Sequence, residues 1–143
     1  MNKISKDDRQ LKILVIDDDP SATDLLSKLL TAKKVQVLTA NSSQEGLKLV
    51  DQHDFDGIVL DLLMPDMDGW DLAAEIKSRC KSPILIISAI DSPEMVTRAL
   101  NNGADEYLPK PFSSNIFLAR LASLIRRYHT EQLAVPFGGN GTV

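Results

Sequence analysis

The 143 residues suit one domain, long enough to bury about 70 % of its unfolded surface and hold a core without metal or disulfide staples. A single cysteine, Cys80, excludes an internal disulfide and suits a reducing compartment, while a net charge of −4 speaks against a surface built to grip nucleic-acid phosphates. No apolar run reaches the roughly 18 residues of a membrane span and residues 1–10 lack a signal-peptide core, so a cytoplasmic protein that binds neither nucleic acid nor membrane directly is expected.

Residues 1–10 are polar and read as a disordered lead-in. Residues 11–16 are a continuous apolar run, the pattern of a strand buried on both faces of a parallel sheet, and they end in Asp17, Asp18 and Asp19. Asp19 followed by Pro20 is a helix start, and Ala22, Leu25, Leu26, Leu29 and Leu30 then recur on one helical face. A second strand spans 35–40 and a helix 42–51; the third strand, 57–60, runs into Asp61. After the turn-like Met64, Pro65 and Asp66 comes a helix over 71–80, with Leu72, Ile76 and Cys80 one turn apart. The fourth strand, 84–87, ends at Ser88, and the helix over 93–102 closes on Gly103, which tolerates the left-handed conformation of a helix end. A short fifth strand, 106–108, precedes Lys110 and Pro111, and the last helix covers 113–127. Residues 129–143, with Pro136, Gly138, Gly139 and Gly141, lack helical period and read as a linker or flexible tail, suited to lead toward an output domain.

Strands alternating with helices imply an α/β fold, a doubly wound, five-stranded parallel sheet over residues 11–128, taken with the common strand order 2-1-3-4-5. In such sheets ligands bind beyond the carboxyl ends of the strands. Asp17, Asp18, Asp61, Ser88 and Lys110 all fall at that edge, whereas the second strand ends in Thr39, Ala40 and Asn41 and offers no charge. Crowded carboxylates repel one another, and a hard divalent cation such as Mg²⁺ removes that penalty. A carboxylate between a cation and a lysine is a nucleophile for an aspartyl phosphate, with Ser88 Oγ and the Ala89 backbone amide as donors to phosphoryl oxygens.

Four stretches carry a resemblance to the response-regulator receiver family of two-component signalling: residues 12–20 (KILVIDDDP), 56–69 (DGIVLDLLMPDMDG), 86–89 (IISA) and 103–112 (GADEYLPKPF). The resemblance covers residues 11–127 and implies a flavodoxin-like receiver fold with Asp61 as phosphoacceptor. It further implies that Asp17 and Asp18 hold Mg²⁺, Asp18 more directly, with Asp61 and the Leu63 backbone carbonyl completing the protein ligands. Ser88 is similar to the switch hydroxyl, Tyr107 to the switch aromatic and Lys110 to the conserved lysine, whose bond to Pro111 is expected to be cis. A sensor histidine kinase is the implied donor. The implied chemistry is self-catalysed phosphoryl transfer and slow autodephosphorylation, not turnover of an external substrate.

In the last helix, Phe117, Leu121 and Leu124 beside Leu118, Ala122 and Ile125 form a wide apolar stripe edged by Arg120, Arg126 and Arg127. This reads either as a well-buried terminal helix or as part of a homodimer face made by the fourth helix, fifth strand and fifth helix. Winged-helix transcriptional regulators, which this stretch resembles, pair there. A phosphatase of the haloacid dehalogenase type fits Asp17, Asp19 and Ser21 but would need a late acidic pair that does not follow Lys110. A flavodoxin-like cofactor site would need a phosphate loop where three aspartates stand. His53 and His129 have no partner at ligand spacing and read as surface residues; Trp70 reads as packing or surface.

Overall fold

The computed structural model describes residues 10–133. Five strands and five helices alternate: β1 (Lys12–Ile16), α1 (Pro20–Thr31), β2 (Gln36–Ala40), α2 (Ser43–Gln52), β3 (Gly57–Asp61), α3 (Gly69–Arg79), β4 (Ile84–Ser88), α4 (Pro93–Asn101), β5 (Glu106–Pro109) and α5 (Ser114–Leu133). The strands form one parallel sheet in the expected order β2-β1-β3-β4-β5.

Successive strand residues face opposite sides of the sheet. Leu14, Ile16, Ile58, Leu60, Ile84 and Ile86 therefore pack with Val50, Leu72, Ile76 and Ala99 under α2, α3 and α4. Ile13, Val15, Val59, Leu85 and Ile87 pack with Leu26, Leu30, Phe117, Leu121 and Leu124 under α1 and α5. Because β1, β3 and β4 are covered on both faces, they read as unbroken apolar runs rather than alternating ones.

Helix starts follow the capping chemistry. Asp19 accepts the Ser21 N–H at 3.0 Å ahead of Pro20. Asp68 accepts the Trp70 N–H at 2.8 Å, so α3 begins at Gly69, two residues before the apolar period announces it. Gly69 is needed there for space: a Cβ would sit 2.4 Å from the Leu62 Cα. Gly103, with φ +114°, closes α4 in the left-handed region.

The last helix departs from expectation. It continues to Leu133, so residues 129–133, expected to be linker, are helical. No glycine or proline interrupts the chain before Pro136. A polar contact lies near this end: His129 Nε2 is 3.5 Å from Asp56 Oδ1, and Asp56 Oδ2 accepts the Lys12 N–H at 2.9 Å. His129 is thus tucked against the base of the sheet rather than on the surface. The expectations for residues 1–9 and 134–143 lie outside the described residues.

Candidate functional site

The carboxyl ends of β1 and β3 bring Asp17 and Asp61 side by side, both buried. Lys110, placed by the turn after β5, puts its Nζ 2.9 Å from Asp61 Oδ2 and 3.5 Å from Asp17 Oδ2. The Lys110–Pro111 peptide is cis, and the Lys110 N–H donates to the Ser88 carbonyl at 2.8 Å. One oxygen of each acid is held by backbone: Asp17 Oδ1 by the Asp19 N–H at 3.0 Å, Asp61 Oδ1 by the Leu63 N–H at 3.0 Å.

Asp17 Oδ2 is different. It is enclosed and makes no hydrogen bond. Burial, and then the charge of Asp61, push the Asp17 carboxyl up to about 6 against the pull of the Asp19 N–H and Lys110. Burial works against the charge on Lys110, but its hydrogen bond to Asp61 and the two carboxylate charges outweigh that and hold it above its usual value.

Ser88 is fully buried, with Oγ accepting the Ile90 N–H at 3.2 Å, and Ala89 follows it on the surface. Tyr107 lies inward already, its hydroxyl donating to the Ile90 carbonyl. Burial, the leading influence, raises its pKa despite the nearby Ser88 hydroxyl. Asp18 is exposed at the rim of the acidic pocket, and the Leu63 side chain is 52 % exposed. Among the described residues no three acidic, histidine or cysteine side chains cluster tightly enough to hold a metal alone. Two buried acids with a third acid at the rim suit Mg²⁺, an ion that keeps waters and takes one or two carboxylates. The enclosed, unbonded Asp17 oxygen is the feature that such a cation fits.

Beside the acids, a groove of about 500 Å³ is lined by Leu25, Leu26, Ala89, Lys110, Pro111 and Phe112. Two residues that carry no site signal in the sequence also belong here. Asp66, read only as a turn residue, accepts the Ser43 N–H at 2.9 Å and the Gln44 N–H at 3.4 Å, tying the loop after β3 to the start of α2. Those backbone bonds, behind the leading influence of Ser43 itself, hold its carboxyl below the usual range. Asn41 donates to the Asp17 carbonyl at 2.8 Å.

The model of the response regulator receiver domain matches residues 13–122. The chain belongs to that family. Its relatives include the transcriptional regulatory protein KdpE of Mycobacterium tuberculosis, 37 % identical over 115 residues, covering 80 % of this chain and 51 % of that one. A two-component response regulator from Clostridium difficile superposes with a TM-score of 0.80 at 31 % identity, covering 82 % of this chain and 98 % of that one. The beryllofluoride-activated NtrC4 receiver domain dimer gives a TM-score of 0.77 at 34 % identity, covering 82 % of this chain and 98 % of that one. The receiver chain spans about half the length of the curated regulators it matches. It is thus a signalling module of two-component response regulators, and among the described residues no helix is long and apolar enough to cross a membrane.

Proposed function

We propose that this receiver is phosphorylated on Asp61 by a sensor histidine kinase in the presence of Mg²⁺, and that the modified side chain reshapes the α4–β5–α5 surface to control output or dimerisation. The observation that carries the reading is the enclosed, hydrogen-bond-free Asp17 Oδ2 set beside Asp61 and Lys110.

An Asp61 carboxylate oxygen attacks phosphorus, the bond from phosphorus to the donor's leaving atom breaks, and that atom keeps the electron pair. Lys110, already on Asp61 Oδ2, is positioned to follow the charge onto the phosphoryl group. Ser88 Oγ and the Ala89 N–H, at the end of the neighbouring strand β4, are the donors placed to receive its oxygens. Asp17, Asp18, Asp61 and the Leu63 carbonyl would hold Mg²⁺, which when bound neutralises the charge gathering on the phosphoryl oxygens. The apolar groove beside Lys110 leaves a path for the donor's side chain, with Leu25 59 % exposed at its lip.

The readout face is α4–β5–α5. Only Ala99 of α4 is buried, so this helix is held by little apolar contact and is free to shift. Tyr107 links it to the site, since its hydroxyl meets the backbone of the loop that starts at Ser88. In the α5 stripe, Phe117, Leu121, Leu124 and Ile125 are core residues, whereas Leu118 and Ala122 open on a groove toward α1 with Leu11, Leu30 and Val35. The face toward β5 is instead the line of Ile116, Arg120 and Arg127, both arginines reaching Glu106 Oε2 at 3.9 and 3.8 Å. Leu100 of α4 and Ile116 of α5 are exposed apolar side chains that a partner at this face would cover.

Incubation with acetyl phosphate and Mg²⁺ should add one phosphoryl mass, and Asp61→Asn should add none. Equal labelling of the variant in intact-mass spectra would place the nucleophile elsewhere. Multiple turnover of a small phosphate ester would instead favour a phosphatase.

A further inference from the structure

Asn41 stands one residue past the end of β2, a strand whose tip carries no charge. The final pair between β1 and β2 is Ile16 with Ala40, and the Asp17 N–H still reaches the Ala40 carbonyl at 3.1 Å. There the two chains part: one runs into the acidic turn, the other into α2. The Asn41 side-chain amide bridges the gap, donating to the Asp17 carbonyl at 2.8 Å and to Thr23 Oγ1 at 3.2 Å. One amide carries two N–H groups, so a single side chain satisfies both acceptors. Asn41 is itself fixed, its N–H donating to Glu45 Oε1 at 2.8 Å, and Ser42 Oγ caps the same turn by accepting the Glu45 N–H at 3.1 Å.

The carbonyl that Asn41 holds belongs to the peptide unit joining Asp17 to Asp18. Fixing that plane fixes the ψ of Asp17 and the φ of Asp18, and so the directions in which both carboxylates leave the backbone. We infer that Asn41 is a positioning residue for the divalent cation: its amide extends the β1–β2 ladder by one rung and aims Asp17 and Asp18 into the pocket. This rests on the reading of the pocket as a Mg²⁺-dependent phosphoacceptor site. Partners that orient ligand-bearing groups typically contribute about 10–100-fold to metal affinity.

The test uses the full chain and two readouts, Mg²⁺ binding by titration calorimetry and the unfolding midpoint in Mg²⁺-free buffer. Asn41→Ala, and Asn41→Leu as a variant of similar bulk without the donor, should each weaken Mg²⁺ binding by about tenfold or more. Ser42→Ala removes the neighbouring cap without touching Asp17; it should lower the midpoint and leave Mg²⁺ affinity within about twofold, well short of that. Mg²⁺ affinity unchanged in both Asn41 variants, or lost equally in Ser42→Ala, would overturn the positioning role while leaving the phosphoacceptor reading intact. A wild-type chain with no Mg²⁺ affinity would overturn both.

Discussion

Asp17 carries an electrostatic cost that Lys110 relieves only in part. Its carboxyl is raised from 3.8 to about 6 in the folded chain, so folding favours the protonated form. The sign follows: the stabilising contribution is present in full below about pH 4 and is lost as the pH rises through 6. At neutral pH, without Mg²⁺, the charged group therefore weakens the fold. Asp17→Asn, which keeps the shape without the charge, should raise stability at pH 7 by about 1–3 kcal/mol, with the gap to wild type closing by pH 4. Urea unfolding across that range checks this, and a gap constant with pH would remove Asp17 as the titrating group. Added Mg²⁺ should narrow the difference at pH 7 by stabilising wild type alone.

The elements around the site are as consequential as its acids. The loop between β3 and α3 brings the Leu63 N–H to Asp61, and Gly69 lets the start of α3 lie against Leu62. Gly69→Ala places a methyl 2.4 Å from the Leu62 Cα, where only backbone can yield. It should cost about 2–3 kcal/mol in denaturant unfolding and slow phosphoryl acceptance at Asp61; an unchanged midpoint would show that the loop gives way freely. Much of this was legible in the sequence. The interiors of β1, β3 and β4 are apolar because two helical layers cover them, and residues at strand ends must share an edge once the sheet is parallel. Less visible were contacts made by ordinary turn residues. Asp66 and Asn41 are common loop types, and nothing in their spacing announces that one carboxylate would cap α2 from a distant loop or one amide hold the Asp17 carbonyl. The end of α5 was missed for a similar reason: an apolar period marks helices that bury hydrocarbon, while this end runs past the polar side chains of His129 and Asp56. The single Trp70, half-buried with Arg98 4.3 Å above its ring and Nε1 3.4 Å from the Met95 carbonyl, likewise reveals its link between α3 and α4 only in three dimensions.

For the molecule as a whole, the question is which face meets a second copy. The apolar stripe of α5 divides: Leu118 and Ala122 look toward α1, and Ile116, 47 % exposed, looks toward β5 and α4 with Leu100, 42 % exposed. If phosphorylation pairs the α4–β5–α5 faces, light scattering with acetyl phosphate and Mg²⁺ should show a dimer for wild type. Ile116→Glu should keep the chain monomeric, weakening association by about tenfold or more through an unpaired charge in the patch. Loss of the dimer in Leu118→Glu with Ile116→Glu unaffected would move the interface to the α1 side.

The length of α5 bears on how such a change would travel. Twenty helical residues make a rod of about 30 Å, roughly the width of a small domain. Its first turns share an apolar cluster with Leu108 of β5 through Phe117, and further along His129 Nε2 lies 3.5 Å from Asp56 Oδ1. Were the α4–β5–α5 face to move on phosphorylation, a few degrees of tilt in such a rod would carry its Leu133 end by ångströms.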